Sequence, residues 1–319
     1  MTRQTDSETT EQTPGGSASP LVSAVITTYN RPSYLERAVH SVLDQTYDSI
    51  ELVVVDDHSD TPASETLSGI DLSGLSAVQC LRHEENQGAN AARNTGIDAA
   101  SGEYLAFLDD DDRWVPEKIE RQVEAFFDAP ADVGAVYTGL KSDKGDGFSD
   151  SIPPVVEGNL TEALLCENVV GSLSVFMVRT DLATEVRLDE RFPCWADLEW
   201  YINLSRHAEF RRIPEPLVIY DSGSHNRLTA DIEKKQAGYD LFVEEFTPLA
   251  KELDCYRKMR GWAAYRLGKS AYHRGFYGRA RRYLTLAVVM YPFEPQFFKL
   301  FGASLGGRPI HKTVRFVKS

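Results

Sequence analysis

The sequence predicts an α/β protein: a doubly wound, mostly parallel sheet followed by an α-helical C-terminal extension. Three features carry that expectation. Short, near-continuously apolar runs alternate with helical patterns as far as residue 138, as strands covered by helices on both faces do. Polar clusters close those runs, where open α/β sheets bind their ligands. From about residue 231 the pattern is helical.

Taken in order, residues 1–20 are mostly Thr, Ser, Gln, Gly and Pro and read as a disordered tail. Residues 21–28 are a buried strand. Pro32 opens a helix to about residue 45, with Leu35, Val39, Val42 and Leu43 on one face. Strands follow at 50–55, 77–81, 103–108 and 133–138, and helices at 61–67, 88–100 and 116–127. Residues 141–150, rich in Gly and Asp, read as a loop. Beyond it come a helix at 160–167, a strand at 172–179, a helix at 197–207 and a Pro-interrupted extended segment at 210–220. Residues 262–276 and 278–290 read as a helical hairpin, reminiscent of one tetratricopeptide-like unit. The expected organisation is therefore a tail (1–20), an α/β domain (21–230) and a basic helical region (231–319).

With 319 residues, 42% of them apolar, the chain has material for a sizeable core. A net charge of −14 weighs against nucleic-acid binding. No apolar run approaches the ~18 residues of a membrane span, and residues 1–20 lack the apolar core of a signal peptide. The four cysteines form no C-x-x-C pair, which points to a reduced, cytoplasmic protein without a disulfide framework or structural zinc. The charge is unevenly spread. Residues 255–319 hold 14 of the 34 Lys and Arg but only one of the 48 acids, Glu294, so they are +13 and the remainder is −27. Lysine supplies only 11 of the basic residues, and an acidic, lysine-poor body suits a salt-rich cytoplasm. The basic segment, with Tyr283, Leu284, Leu286, Val288, Val289, Phe297, Phe298 and Phe301, is expected to touch an anionic membrane surface.

Three strand ends carry the chemistry. The first is Thr27-Thr28-Tyr29-Asn30-Arg31, the second Asp56-Asp57-His58-Ser59, the third Asp109-Asp110-Asp111-Asp112. No G-x-G-x-x-G or G-x-x-x-x-G-K-[ST] follows a strand, which disfavours a nicotinamide dehydrogenase or a P-loop enzyme. A nucleotide would then be held by side chains, with Asp57 accepting from a base N–H and Tyr29 stacking. The alternative for Asp57 is a turn or cap residue. Four consecutive carboxylates need a cation or arginine among them. If the run is extended, Asp109 and Asp111 point the same way and can clasp a hard cation such as Mg²⁺ or Mn²⁺. Arg93, on a helix of small residues, can pair with those aspartates or with phosphate. Asp197, between Trp195 and Trp200, is placed for partial desolvation and general-base work, or for a helix cap.

Val25-Ile26-Thr27-Thr28-Tyr29-Asn30-Arg31, Val55-Asp56-Asp57-His58-Ser59, Ala91-Ala92-Arg93-Asn94-Thr95-Gly96 and Gly102-Glu103-Tyr104-Leu105-Ala106-Phe107-Leu108-Asp109-Asp110-Asp111-Asp112, in that order and spacing, resemble glycosyltransferase family 2. The likeness runs from about residue 21 to 227. It implies a GT-A fold, a nucleotide-sugar donor, Mn²⁺ or Mg²⁺, and inversion at the anomeric carbon. It places Thr27, Tyr29 and Asp57 at the base, adds Arg93 and Asp110 to the donor-binding set, and matches Asp109 and Asp111 to the D-x-D metal motif. Asp197 falls where the family's Glu-Asp pair supplies the catalytic base. Here the Glu position is Ala196 and a frequent downstream Arg is Asn203, so Glu199 is the reserve catalytic candidate. His225 occupies the region of a late metal-binding or phosphate-contacting His.

The Q-x-x-R-W motif and membrane helices of processive synthases are absent from the sequence, so the resemblance points to transfer of a single sugar. The acidic body, the Cys194-Trp195-Ala196-Asp197 segment and the basic tail are similar to haloarchaeal members that build dolichol-linked glycans for S-layer N-glycosylation. That likeness implies a lipid-linked saccharide acceptor and a peripheral place on the inner face of the cell membrane. Two rivals are a nucleotidyltransferase, which would need a Gly-rich, Arg-bearing first loop that Thr27 to Arg31 lacks, and a non-catalytic binding module, which the intact aspartate run disfavours.

Overall fold

The computed structural model describes residues 19–143, 148–151, 156–221 and 231–306. Most of the expected N-terminal tail, His225 and residues 307–319 lie outside the described residues. The elements are β1 (Val22–Thr28), α1 (Pro32–Leu43), β2 (Ile50–Asp56), α2 (Ala63–Leu67), β3 (Ala77–Arg82), α3 (Ala89–Ala99), β4 (Tyr104–Asp109), β5 (Arg113–Trp114), α4 (Lys118–Phe127), β6 (Val133–Asp143) and β7 (Phe148–Ser151). They continue with α5 (Thr161–Cys166), a 3-10 turn at Leu173–Val175, β8 (Phe176–Arg179), α6 (Thr180–Glu185), α7 (Ala196–Ser205), β9 (Glu209–Asp221), α8 (Ile232–Glu252), α9 (Tyr256–His273), α10 (Tyr277–Met290) and α11 (Pro295–Leu305).

The strand order is β3-β2-β1-β4-β8-β6-β9-β5, with β7 paired to β6. β3, β2, β1 and β4 run parallel. β1 and β2 are buried throughout except for Thr27, which is why they read as near-continuously apolar runs; the polar Ser23 and Glu51 are buried against each other, Ser23 Oγ donating to Glu51 at 2.5 Å. Because β1 leads outward to β2 and β3 while β4 returns to its other side, the order reverses between β1 and β4, and the carboxyl ends at such a reversal are where open α/β sheets bind ligands. Register places Thr27 opposite Asp109, and Thr28 opposite Asp56. The three polar clusters singled out above therefore share one edge. α3 lies tightly against this sheet: a Cβ on Gly96 would come within 2.3 Å of Val25 Cγ1.

Beyond β4 the sheet becomes mixed, with β8 antiparallel to β4 and β6. Three expectations change here. Of the loop expected at 141–150, residues 144–147 lie outside the described residues; on either side of them β6 continues to Asp143 and pairs antiparallel with β7, and β9 pairs β6 as far as Asp143 on its other side. The strand expected at 172–179 starts as a 3-10 turn and is extended only from Phe176. Pro214 and Pro216 do not break β9. The β6–β9 pairing shifts register on either side of the Gly139–Pro216 pair, and such irregularities tolerate a residue with no N–H.

α9 and α10 form the expected hairpin, packed so closely that a Cβ on Gly268 would lie 2.9 Å from Leu284 Cγ. The buried core runs without a break from Val22 through Phe242 and Ala263 to Phe297. Of the residues expected to face a membrane, Tyr283, Leu284 and Phe297 are instead buried in that core, while Val289 and Phe298 are exposed along with Phe293 and Leu305. No helix among the described residues is long and apolar enough to cross a membrane.

The contact at Gly96 is testable. Gly96→Val should lower stability by about 1–3 kcal/mol, the usual cost of overpacking, read as a lower urea midpoint with an unchanged slope.

Candidate active site

The four aspartates form a turn rather than the extended segment expected, because the Asp112 N–H donates to the Asp109 carbonyl at 3.0 Å. They still sort into two pairs. Asp110 and Asp112 are buried. Asp109 and Asp111 keep 29% and 18% of their side-chain surface. Asp110 accepts from Thr28 Oγ1 at 2.8 Å and from Arg31 Nη1 at 3.0 Å. Burial pushes its pKa up to about 6 against the pull of Arg31. Asp112 accepts from Ser174 Oγ at 2.6 Å, and burial, reinforced by Asp109, holds it well above the carboxylate range. Ser174 also accepts from the Asp109 N–H at 3.1 Å, tying the 3-10 turn to the end of β4. Arg31 reaches Asp111 at 3.4 Å, and Arg93 Nη2 donates to Asp109 at 2.8 Å. Arg93 is itself steadied by Asn90 Oδ1 at 3.2 Å.

On the β2 side, Asp57 accepts from the Gln87 and Gly88 N–H groups at 2.8 Å each, and pairs with His83 Nδ1 at 2.8 Å. His83 in turn meets Thr95 Oγ1 at 2.9 Å. A carboxylate has about four lone-pair sites; three are taken, and Oδ2 keeps one. Tyr29, 47% exposed, stands at the end of β1, next to half-buried Thr27. Asn30 and His58, beside these clusters, have φ of 56° and 70°, and left-handed residues of this kind gather at ligand clamps.

Asp197 lies in the first turn of α7, half-buried. Its Oδ2 accepts from Asn168 Nδ2 at 3.1 Å. Burial raises its pKa, and Arg93, Asp109 and Arg266 all act on it electrostatically, so it lies within electrostatic reach of the aspartate run. The Tyr201 hydroxyl shares that field and is buried with no hydrogen-bond partner among the described residues. Glu199 is placed differently. It is 3% exposed, accepts from Asn203 Nδ2 at 2.5 Å and lies under the influence of Asp189 and Glu245. Asn168, Ser174, Asn90 and Arg266 are the neighbours that sequence reasoning missed. Each is an isolated residue in an unremarkable run, and only the fold brings it to the edge.

The donor set fits a hard divalent cation. It is all oxygen, and Asp109 and Asp111 both keep part of their surface at the same turn. Mg²⁺ is commonly held by one or two carboxylates, with phosphate and water completing its shell. Among the described residues no third His, Cys, Asp or Glu joins them, which leaves the rest of the shell to the ligand.

Residues 23–180 match the family model described as glycosyl transferase family 2. The chain therefore carries a glycosyltransferase domain, the enzyme class expected. It is 34% identical over 161 residues to a putative teichuronic acid biosynthesis glycosyltransferase, TuaG, of Bacillus subtilis, a match covering 50% of this chain and 63% of that protein. It is 27% identical over 238 residues to an uncharacterized glycosyltransferase of Haemophilus influenzae, covering 73% and 79%. The chain thus spans less than two thirds of the Bacillus protein. Among solved structures it is similar to S. aureus TarS in complex with UDP-GlcNAc, with a TM-score of 0.55, 16% identity and 85% and 89% of the two chains covered. It is also similar to the mannosyltransferase PcManGT of Pyrobaculum calidifontis in complex with GDP-Man and Mn²⁺, with a TM-score of 0.60, 16% identity and 92% and 82% covered. These likenesses show the expected GT-A fold.

Glu199 supplies a test of the electrostatics. Burial raises it from its ordinary 4.5 to about 7. Between those values the folded chain holds a proton that the unfolded chain has lost, so stability falls as pH rises through about 7. Glu199→Gln should flatten that decline and exceed the wild type at pH 8 by up to about 3 kcal/mol, measured by urea unfolding from pH 4.5 to 8.

Proposed function

We propose that this glycosyltransferase family 2 domain moves one sugar from a nucleotide-sugar donor to a hydroxyl acceptor, with inversion. One observation carries the reading: two half-buried aspartates, backed by two buried ones and two arginines, stand at the strand-order reversal, within electrostatic reach of half-buried Asp197. Tyr29 offers a ring for the base, and Asp57 Oδ2 one acceptor position. Arg31 and Arg93 supply positive charge for the diphosphate. A divalent cation held by Asp109 and Asp111 would supply Lewis-acid stabilisation of the leaving diphosphate. Asp197 takes the proton from the acceptor hydroxyl. That oxygen bonds the anomeric carbon from the face opposite the departing diphosphate, whose glycosidic C–O bond breaks.

The acceptor we assign is a lipid-linked saccharide reached at a membrane surface. Residues 255–319 are +13, and Val289, Phe293, Phe298 and Leu305 are exposed on α10, α11 and the turn between them. Basic charge with exposed apolar side chains is the pattern of interfacial helices.

A panel of UDP- and GDP-sugars with Mn²⁺ tests the activity through nucleoside diphosphate release and the anomeric configuration of the product. Asp197→Asn should lower turnover by about 10²–10⁴, the usual worth of a positioned base, with donor affinity unchanged. Asp109→Asn and Asp111→Asn should each abolish the Mn²⁺ response. Full activity in EDTA, or of Asp197→Asn, rejects the corresponding role.

The membrane reading has its own measurement. The protein should pellet with anionic but not neutral liposomes, and Phe293→Asp with Phe298→Asp should weaken pelleting. Equal recovery with both lipid types would overturn it.

A further inference from the structure

Resting on Asp197 as the base, we propose that Arg266 of α9 is its positioning residue: stacked on Trp195 and hydrogen-bonded to the Cys166 carbonyl, it holds both backbone approaches to the Asp197 carboxylate. The first approach is the segment entering α7. Trp195 has φ 65°, and its carbonyl accepts the Glu199 N–H at 2.9 Å, opening the helix. A left-handed non-glycine is strained and persists only where its surroundings over-determine it. Here the C-terminal helices supply those surroundings. The Trp195 ring packs edge-on against Phe242 at 5.7 Å, and the Arg266 guanidinium carbon lies 5.1 Å from the Trp195 ring centre. α8 is pressed so closely on this segment that a Cβ on Gly238 would lie 2.8 Å from the Cys194 carbonyl oxygen.

The second approach runs from the end of α5. Arg266 Nη2 donates to the Cys166 carbonyl at 2.9 Å. Two residues on, Asn168 Nδ2 donates to Asp197 Oδ2 at 3.1 Å. One guanidinium thus touches both segments that lead to the base. Burial pushes it down to about 10, with Cys166, Glu167 and Asp197 the acidic groups around it. Arg93 and Asp109 act on Asp197 from the donor side. A desolvated cation is an expensive way to hold helices together when an apolar side chain fills the same space. A lysine could not both stack and hydrogen-bond as this planar group does. The C-terminal helices are on this account part of the catalytic unit.

The test compares Arg266→Met and Arg266→Lys in the full chain, with kcat, donor KM and Tm measured separately. Misplacing the base by ~1 Å costs about 10²-fold. Arg266→Met should therefore lose about 10–100-fold in kcat with donor KM within about twofold, and Arg266→Lys should fall between it and the wild type. In an Asp197→Asn background Arg266→Met should change residual turnover by less than about twofold, because the two residues act as a unit. Wild-type kcat in both Arg266 variants overturns the proposal, as does an Arg266 loss that multiplies fully onto Asp197→Asn. Wild-type turnover of Asp197→Asn itself overturns the base assignment and this inference with it, so the two failures are distinguishable. If Arg266→Met does not fold, Arg266→Lys decides through its kcat at unchanged KM.

Discussion

Holding four consecutive carboxylates at the end of a buried strand is the constraint on which the rest of this edge depends. Two like charges ~4 Å apart repel by about 4 kcal/mol at an effective dielectric of 20, and four would open the turn. The chain resolves this by sorting. Asp110 and Asp112 go inward, where burial raises their pKa and hydroxyls from Thr28 and Ser174 satisfy them. Asp109 and Asp111 go outward against Arg93 and Arg31. Each partner sits on a different element: the end of β1, the start of α1, α3 and the 3-10 turn before β8. The charges that can bind a donor are therefore the same ones that lock the strand ends in register.

The two sides of this edge are held by different means. One rests on the parallel strands, where register fixes Thr27, Thr28, Asp56 and Asp109 relative to one another. The other, around Asp197, rests on an irregular chain. Asn90 donates to the Asp189 and Phe192 carbonyls, and Asn94 pairs with Leu188, so α3 secures the segment leading to Trp195. α8 and α9 hold it from the other direction. A sheet edge is stiff by construction, whereas a loop is only as rigid as its side-chain partners, which explains why buried polar anchors concentrate there.

The strand ends were legible in the sequence because apolar runs and polar terminators are local signals. β1, β2, α3 and β4 lie within a residue or two of their expected bounds. Periodicity could not reveal what long-range pairing decides. Lys141 to Asp143 look like a loop by composition yet are held in the sheet by β9. Pro214 and Pro216 look like breakers yet sit where the ladder is irregular. The site shows the same division. The aspartate run, Arg93 and Asp197 stand out by charge and spacing. Asn168, Ser174 and Arg266 do not, since their neighbours are distant in sequence: Ser174 meets Asp112 across 62 positions, and Arg266 meets Cys166 across 100. The apolar C-terminal residues were separable only by packing, because a helix contacting a core and one contacting lipid present the same side-chain types.

Asp197 is proposed over Glu199 as the base because of how one helix directs two carboxyls two residues apart. Successive positions on an α-helix are separated by about 100°, so Asp197 and Glu199 project about 200° apart and cannot serve one site interchangeably. Asp197 faces Arg93 and Asp109, the donor side. Glu199 faces Asp189, Asn203 and Glu245. A base must also be reachable by the hydroxyl it deprotonates, at about 2.6–3.2 Å. Asp197 keeps partial exposure, while Glu199 is 3% exposed and hydrogen-bonded to Asn203. Its raised pKa, about 7, would suit a proton acceptor, but burial, which raises it, also closes it off from a substrate. Burial raises both carboxyls, so access separates them: Asp197 keeps the partial exposure that the proposed role requires, and Glu199 contributes to how α7 is held.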